Sequence, residues 1–130
     1  MIVLVDHHLK GYIVLLQGTL YSEGWLDLLP IRFVFFEEVG LAVDSSDRVV
    51  WRFAQDNQMF LLTANRNAKG NDSLEQTMRE EGTFTSLPVI TIGNLDRLLE
   101  REYREQCSAR LIDIMMYVEN YLGVSRLFIP

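Results

Sequence analysis

Ile2-Val3-Leu4-Val5-Asp6-His7-His8 is the stretch that decides the fold of this chain. Three of its four apolar residues are β-branched, which suits an extended backbone. A run this short, with no polar side for solvent, reads as a strand buried on both faces, as in a parallel sheet covered by helices. The run stops at Asp6. A carboxylate therefore stands at the carboxyl end of the first strand, where open α/β sheets place their ligands.

Outward from that strand, elements of the two periods alternate. Leu9, Ile13, Leu16 and Leu20 share one helical face. Gly11, Gly18 and Gly24 predict that this helix is broken or irregular. A second apolar strand spans Arg32 to Phe36, after Pro30, and Gly40 to Ser46 is a loop. Val49, Val50 and Phe53 mark a helix running to about Asp56. Met59 to Thr63 is a third strand and Ala64 to Asn71 a polar loop. Asp72 opens a helix with Leu74 and Met78 on its face, and Pro88 to Ile92 is a fourth strand. Asn94 is placed to cap one long helix with an apolar stripe from Leu95 to Leu122, stopped by Gly123. Leu127 to Ile129 adds a short last strand. The order βαβαβαβαβ predicts an α/β fold, a three-layer α/β/α sandwich around a mainly parallel sheet of four to five strands. No repeat, low-complexity tract or Gly/Ser/Pro-rich linker divides the sequence, so residues 1–130 read as a single domain.

Composition narrows the function classes. Hydrophobic residues make up 48% and charged residues 23%, enough for a packed core and against disorder. No apolar run is longer than Tyr12-Ile13-Val14-Leu15-Leu16, far below the roughly 20 residues that span a bilayer. Asp6 and His7 come too early for a signal peptide. Cys107 is the one cysteine, which excludes an internal disulfide and suits a reducing, cytoplasmic setting. The net charge of −6 argues against a broad nucleic-acid surface, which rests on Lys and Arg. It suits a site that gathers carboxylates around a divalent cation.

Three polar clusters fall where strands end: Asp6-His7-His8, Asp44-Ser45-Ser46-Asp47, and Thr63-Ala64-Asn65-Arg66-Asn67. With them the sequence resembles the PIN-like nuclease domains, in particular small stand-alone bacterial members. Val3-Leu4-Val5-Asp6 resembles the family's opening strand and first acid. Val39-Gly40-Leu41 with Ser46-Asp47-Arg48-Val49-Val50 resembles its loop and second acid. Phe60-Leu61-Leu62-Thr63-Ala64-Asn65-Arg66-Asn67 resembles its strand ending in Thr-x-Asp. These segments cover about the first half of the chain.

The resemblance implies a metal-dependent ribonuclease, in which three or four carboxylates hold Mg²⁺ or Mn²⁺ and the ion activates water against the phosphodiester. Asp6, Asp47 and Asn65 are the implied catalytic positions. Asp6, Asp47, Asn65, Asn67 and Asp72 are the candidate metal ligands, and Thr63, Arg66, Lys69 and His7 the candidate substrate-binding groups. RNA, an antitoxin-type protein partner and a second copy of the chain are the implied partners. The chain departs from the pattern at Asn65 and Asn67, where the family's third and fourth acids fall. Losing two charges from a site of about four weakens divalent binding severely. Asp44 and Asp72 are the acids available to compensate.

Simpler readings stand beside these. A strand-ending Asp6 also forms turns. Asp47 also suits a helix dipole, with Asp44 or Ser45 as the N-cap. Asp72-Ser73-Leu74-Glu75 resembles a capping box with Asp72 as N-cap. Asn65 and Asn67 suit unusual loop backbone angles. His7 and His8 lack the further ligands of a zinc site, although either suits acid–base work. Cys107, mid-helix, reads as a core thiol. Met115, Met116, Tyr117 and Tyr121 offer a face for a homodimer. Two rival classes remain: a non-catalytic interaction module on the same scaffold, and a flavodoxin- or receiver-like domain. Against the receiver reading, the fourth strand leads into Ile92-Gly93-Asn94 with no Lys.

Overall fold

Five strands pair edge to edge, all parallel, in the order β2-β1-β3-β4-β5. They are β1 Ile2–Val5, β2 Arg32–Val34, β3 Phe60–Thr63, β4 Val89–Ile92 and β5 Arg126–Ile129. The helices are α1 Ile13–Ser22, α2 Trp25–Leu28, α3 Phe36–Val39, α4 Asp47–Asp56, α5 Leu74–Glu81 and α6 Arg101–Met116. The structure, a computed structural model, describes residues 1–65 and 70–130. The α/β sandwich with a parallel sheet expected from the alternation is the architecture found. No described helix is long and apolar enough to cross a membrane.

Strand parity builds the layers. Val3, Val5, Leu62, Ile90 and Ile92 pack with Leu16 and Leu20 of α1 and with Leu111 and Ile114 of α6. Leu4, Leu61 and Val89 face the other way, onto Val50 and Ala54 of α4 and Met78 of α5. Each fully buried leucine contributes about 1.5–3 kcal/mol, and such burial holds strands too short to persist alone. Period two then continues past the strand ends. Asp6 follows Leu4, Thr63 follows Leu61 and Thr91 follows Val89, so all three belong to the α4/α5 side. Arg126 is paired with Val89 and shares that side. The order reverses at β1, which makes the carboxyl ends of β1 and β3 the crevice of the sheet. Flavodoxin- and receiver-like sheets share this strand order.

Several boundaries differ from the sequence expectation. The first helix starts late: His7–Leu9 is a single 3₁₀ turn, and α1 begins only at Ile13. Gly24, at φ +85°, turns the chain into α2. The second strand ends at Val34 rather than Phe36, because residues 36–39 wind into α3, where Glu38 Oε1 accepts from Phe35 N at 3.1 Å. Ser46, not Asp44 or Ser45, caps α4, its hydroxyl accepting from Val49 N at 3.3 Å. Ser73, not Asp72, caps α5, accepting from Gln76 N at 3.2 Å. Asp72 is drawn away by Arg48, whose Nε donates to it at 2.9 Å.

The single long helix expected after Asn94 is split. Residues Leu95–Leu99 form 3₁₀ turns, Glu100 is extended, and α6 runs from Arg101 to Met116. Arg104 Nη1 donates to the Leu98 and Leu99 carbonyls at 2.9 Å each, so these oxygens have a partner without a continuous helix. Asn94 makes no side-chain cap; its backbone N–H donates to the Tyr103 hydroxyl at 2.8 Å. Tyr121 lies beyond the helix and donates to Asp113 Oδ2 at 2.6 Å. Gly123 has φ +79°, and a Cβ there would sit 3.0 Å from the Phe84 carbonyl oxygen. Met115 is buried in the core, while Met116 and Tyr117 are exposed.

Candidate functional site

A cleft of about 440 Å³ opens at the carboxyl ends of β1 and β3, against the start of α4. Phe36, Val50, Leu61 and Leu74 give it an apolar floor. Asp6, His8, Ser45, Asp47, Thr63 and Asn65 supply its polar groups. Asp6 and Asp47 therefore share one side of the sheet and one cleft, as the sequence reading requires.

The side chains form one chain of hydrogen bonds. Thr63 is fully buried, and its hydroxyl donates to Asp6 Oδ2 at 2.6 Å. The same hydroxyl accepts from Asn65 N at 2.9 Å. The Asn65 side-chain amide donates to Asp47 Oδ1 at 2.9 Å. Asp47 Oδ2 accepts from Leu74 N at 3.1 Å, at the start of α5. Asp47 thus ties Asn65, two residues beyond β3, to the first residue of α5. It does so from the first turn of α4, a position that also favours a carboxylate through the helix dipole.

Two arginines reinforce the same segment. Arg126 Nη1 donates to the Asn65 carbonyl and to Thr91 Oγ1, both at 2.6 Å, and Nε donates to Glu75 at 2.7 Å. Its side chain is 8% exposed, and Nη2 is buried with no partner among the described residues. On the far side, Arg48 donates to the Asn71 carbonyl, to Asp72 and to Glu81. Arg52 and then Arg48 hold the Glu81 carboxyl below its ordinary range.

Asp6, Asp47, Thr63 and Asn65 meet in the cleft. Asn67, Arg66 and Lys69 lie outside the described residues. Asp72 is bound to Arg48, and neither it nor Asp44 lines the cleft. Of the two imidazoles, His8 reaches the cleft, while the His7 ring lies 6.3 Å from that of Phe36. Cys107 is buried in the α6 core, and burial pushes its thiol up to about 12. Arg126 was not among the candidates. Its inward position follows from its register opposite Val89, which the sequence does not mark.

The donor set does not fit a Mg²⁺ or Mn²⁺ site. Such ions take several hard oxygen ligands in a near-octahedral shell. Among the described residues, no three His, Cys, Asp or Glu side chains are grouped to hold a metal. Both Asp47 oxygens already accept hydrogen bonds, and Asn65 turns its N–H toward that carboxylate. A comparison with known proteins found no family model, no curated protein and no solved structure that matches this chain.

Proposed function

We propose that this chain is a PIN-like domain whose nuclease-type cleft has become a non-catalytic binding pocket for a partner protein. The observation that carries the reading is the Asn65–Asp47 hydrogen bond. It supports a cleft with the layout of a metal nuclease but with its second carboxylate satisfied by an amide rather than by an ion. Without a cation, Asp6 and Asp47 repel a phosphodiester. The net charge of −6 adds to that repulsion. The same carboxylates over an apolar floor favour a Lys or Arg side chain, whose stem packs while its head is paired.

A second reading, a ribonuclease still cutting with a divalent ion, is favoured by one observation: Asp6 lines the cleft and its Oδ1 has no hydrogen-bond partner among the described residues. One experiment separates the two. Labelled single-stranded RNA is incubated with the wild type and with Asp6→Ala, with and without Mn²⁺, and the wild type is then titrated with a short arginine-containing peptide and followed by amide chemical shifts. The binding reading expects no Mn²⁺-dependent cleavage by either protein and peptide-induced shifts around Asp6, His8 and Thr63. Cleavage that is lost in Asp6→Ala, or a peptide that leaves these amides unmoved, overturns it.

A further inference from the structure

The misfit between cleft and cation has a definite chemical form. Asn65 differs from an aspartate by one group, an NH₂ in place of an oxygen, and that group points at Asp47 Oδ1 from 2.9 Å. A carboxylate in the same place would set two negative oxygens against each other at hydrogen-bond distance, in a half-buried cleft that also holds Asp6. Like charges so placed are tolerated only with a cation or a shared proton between them. The amide removes that requirement. It donates a hydrogen bond where an ion would otherwise stand, and a bond to a charged acceptor is among the stronger ones.

We infer that the Asn65 amide is the built-in substitute for a divalent cation, joining the β3 loop to α4, and that Asn65→Asp alone turns the cleft into a cation-dependent site. Three features support this. The Asn65 backbone is already held independently of its side chain, because its N–H is bound to Thr63 and its carbonyl to Arg126. A carboxylate placed there would therefore stay directed at Asp47. Asp6 lines the same cleft, and its Oδ1 has no partner among the described residues. Finally, Asp47 is fixed from behind by Leu74 N, so it does not need to swing to meet an ion. With Asn65→Asp, three carboxylates would line one cleft, and hard divalent ions take oxygen donors of this kind.

The inference deepens the reading of the cleft as a former nuclease-type site, and the two fail separately. Cleavage of RNA by the wild type sinks the earlier reading. Indifference of the variant to cations sinks this one.

The test is thermal unfolding of wild type and Asn65→Asp in EDTA and in 5 mM Mn²⁺, with calorimetric titration of each by Mn²⁺. The wild type is expected to unfold at the same temperature in both solutions and to release no binding heat. Asn65→Asp is expected to unfold about 5–10 °C lower in EDTA, the size of shift that follows loss of one charged hydrogen bond in a small domain. Mn²⁺ should restore most of that shift by binding only the folded state. If Asn65→Asp does not fold in EDTA, the exchange variant decides. Asp47→Asn combined with Asn65→Asp restores an amide–carboxylate pair with the roles swapped, and should fold at the wild-type temperature without cation. The inference is overturned if the wild type binds Mn²⁺ as tightly as Asn65→Asp, if Mn²⁺ leaves Asn65→Asp unshifted, or if the exchange variant is no more stable than Asn65→Asp in EDTA.

Discussion

Arg126 Nη1 donates to the backbone carbonyl of Asn65 at 2.6 Å, linking the first residue of the edge strand β5 to the residue that follows β3 by two. The same guanidinium holds Thr91 and Glu75. Replacing Arg126 by Met keeps the apolar stem and strands three acceptors, two of them on the α4/α5 side of the sheet. The expected cost is about 2–4 kcal/mol, measured by chemical denaturation. Arg126→Lys should recover less than half, because a point charge cannot serve three divergent acceptors. Full recovery by Lys would show that charge alone, not the fork, holds the loop.

Thr63 tests the chain of hydrogen bonds from its middle. Its hydroxyl is donor to Asp6 and acceptor from Asn65 N. Thr63→Val keeps the shape and deletes both of these bonds, removing the acceptor that Thr63 offers the Asn65 N–H. Destabilisation of about 1–3 kcal/mol is expected, with chemical-shift changes at Asp6 and Asn65. Thr63→Ser should stay within about 1 kcal/mol of wild type, since it retains the hydroxyl. Equal effects from both changes would contradict the role given to the hydroxyl.

Acid should loosen the other end of the loop. The Glu81 carboxyl is held below its ordinary value of 4.5, chiefly by Arg52 and then by Arg48. A carboxyl with a folded-state pKa below its unfolded one stabilises the fold at higher pH. That contribution is complete above about pH 4.5 and is lost as pH falls through the lower folded-state value. Melting temperatures from pH 7 to pH 3 should show wild type above Glu81→Gln at neutral pH and the two converging at the acid end. A gap that stays constant with pH would contradict this assignment.

Cys107 provides a probe of global opening. Burial raises its thiol to about 12, so almost no thiolate exists at pH 8. An aromatic disulfide reagent should modify it only in denaturant, with one equivalent per chain. Rapid modification of the native protein would contradict the packing of α6.

The strand ends were legible because they depend on local rules. A four-residue apolar run ending in Asp6 sets both the strand and, through period two, the side on which Asp6 lies with Thr63. The helix starts were displaced to Ser46 and Ser73, where neighbouring residues are all good caps; at α4, Ser45 instead turns its hydroxyl back to the Ala42 carbonyl. Asp72 lost the cap of α5 to Ser73 because Arg48, 24 residues earlier, takes its carboxylate. The split before α6 depends on Arg104 turning back to two carbonyls, which a helical stripe does not encode. His7 and His8 are adjacent, and only the 3₁₀ turn after β1 decides that His8 meets the cleft. Arg126 was invisible for a different reason. Its acceptor lies 61 residues away, and a cation at a strand end reads as solvent-facing until the sheet order is known.

In the wild-type chain the Asn65–Asp47 hydrogen bond stands where a divalent ion would otherwise join the two residues. Calorimetric titration of the wild-type chain with Mn²⁺ at neutral pH, alongside Asp6→Ala, tests it most directly. The prediction is that neither protein gives a saturable heat at millimolar Mn²⁺. A one-to-one binding isotherm in the wild type that disappears in Asp6→Ala would contradict it.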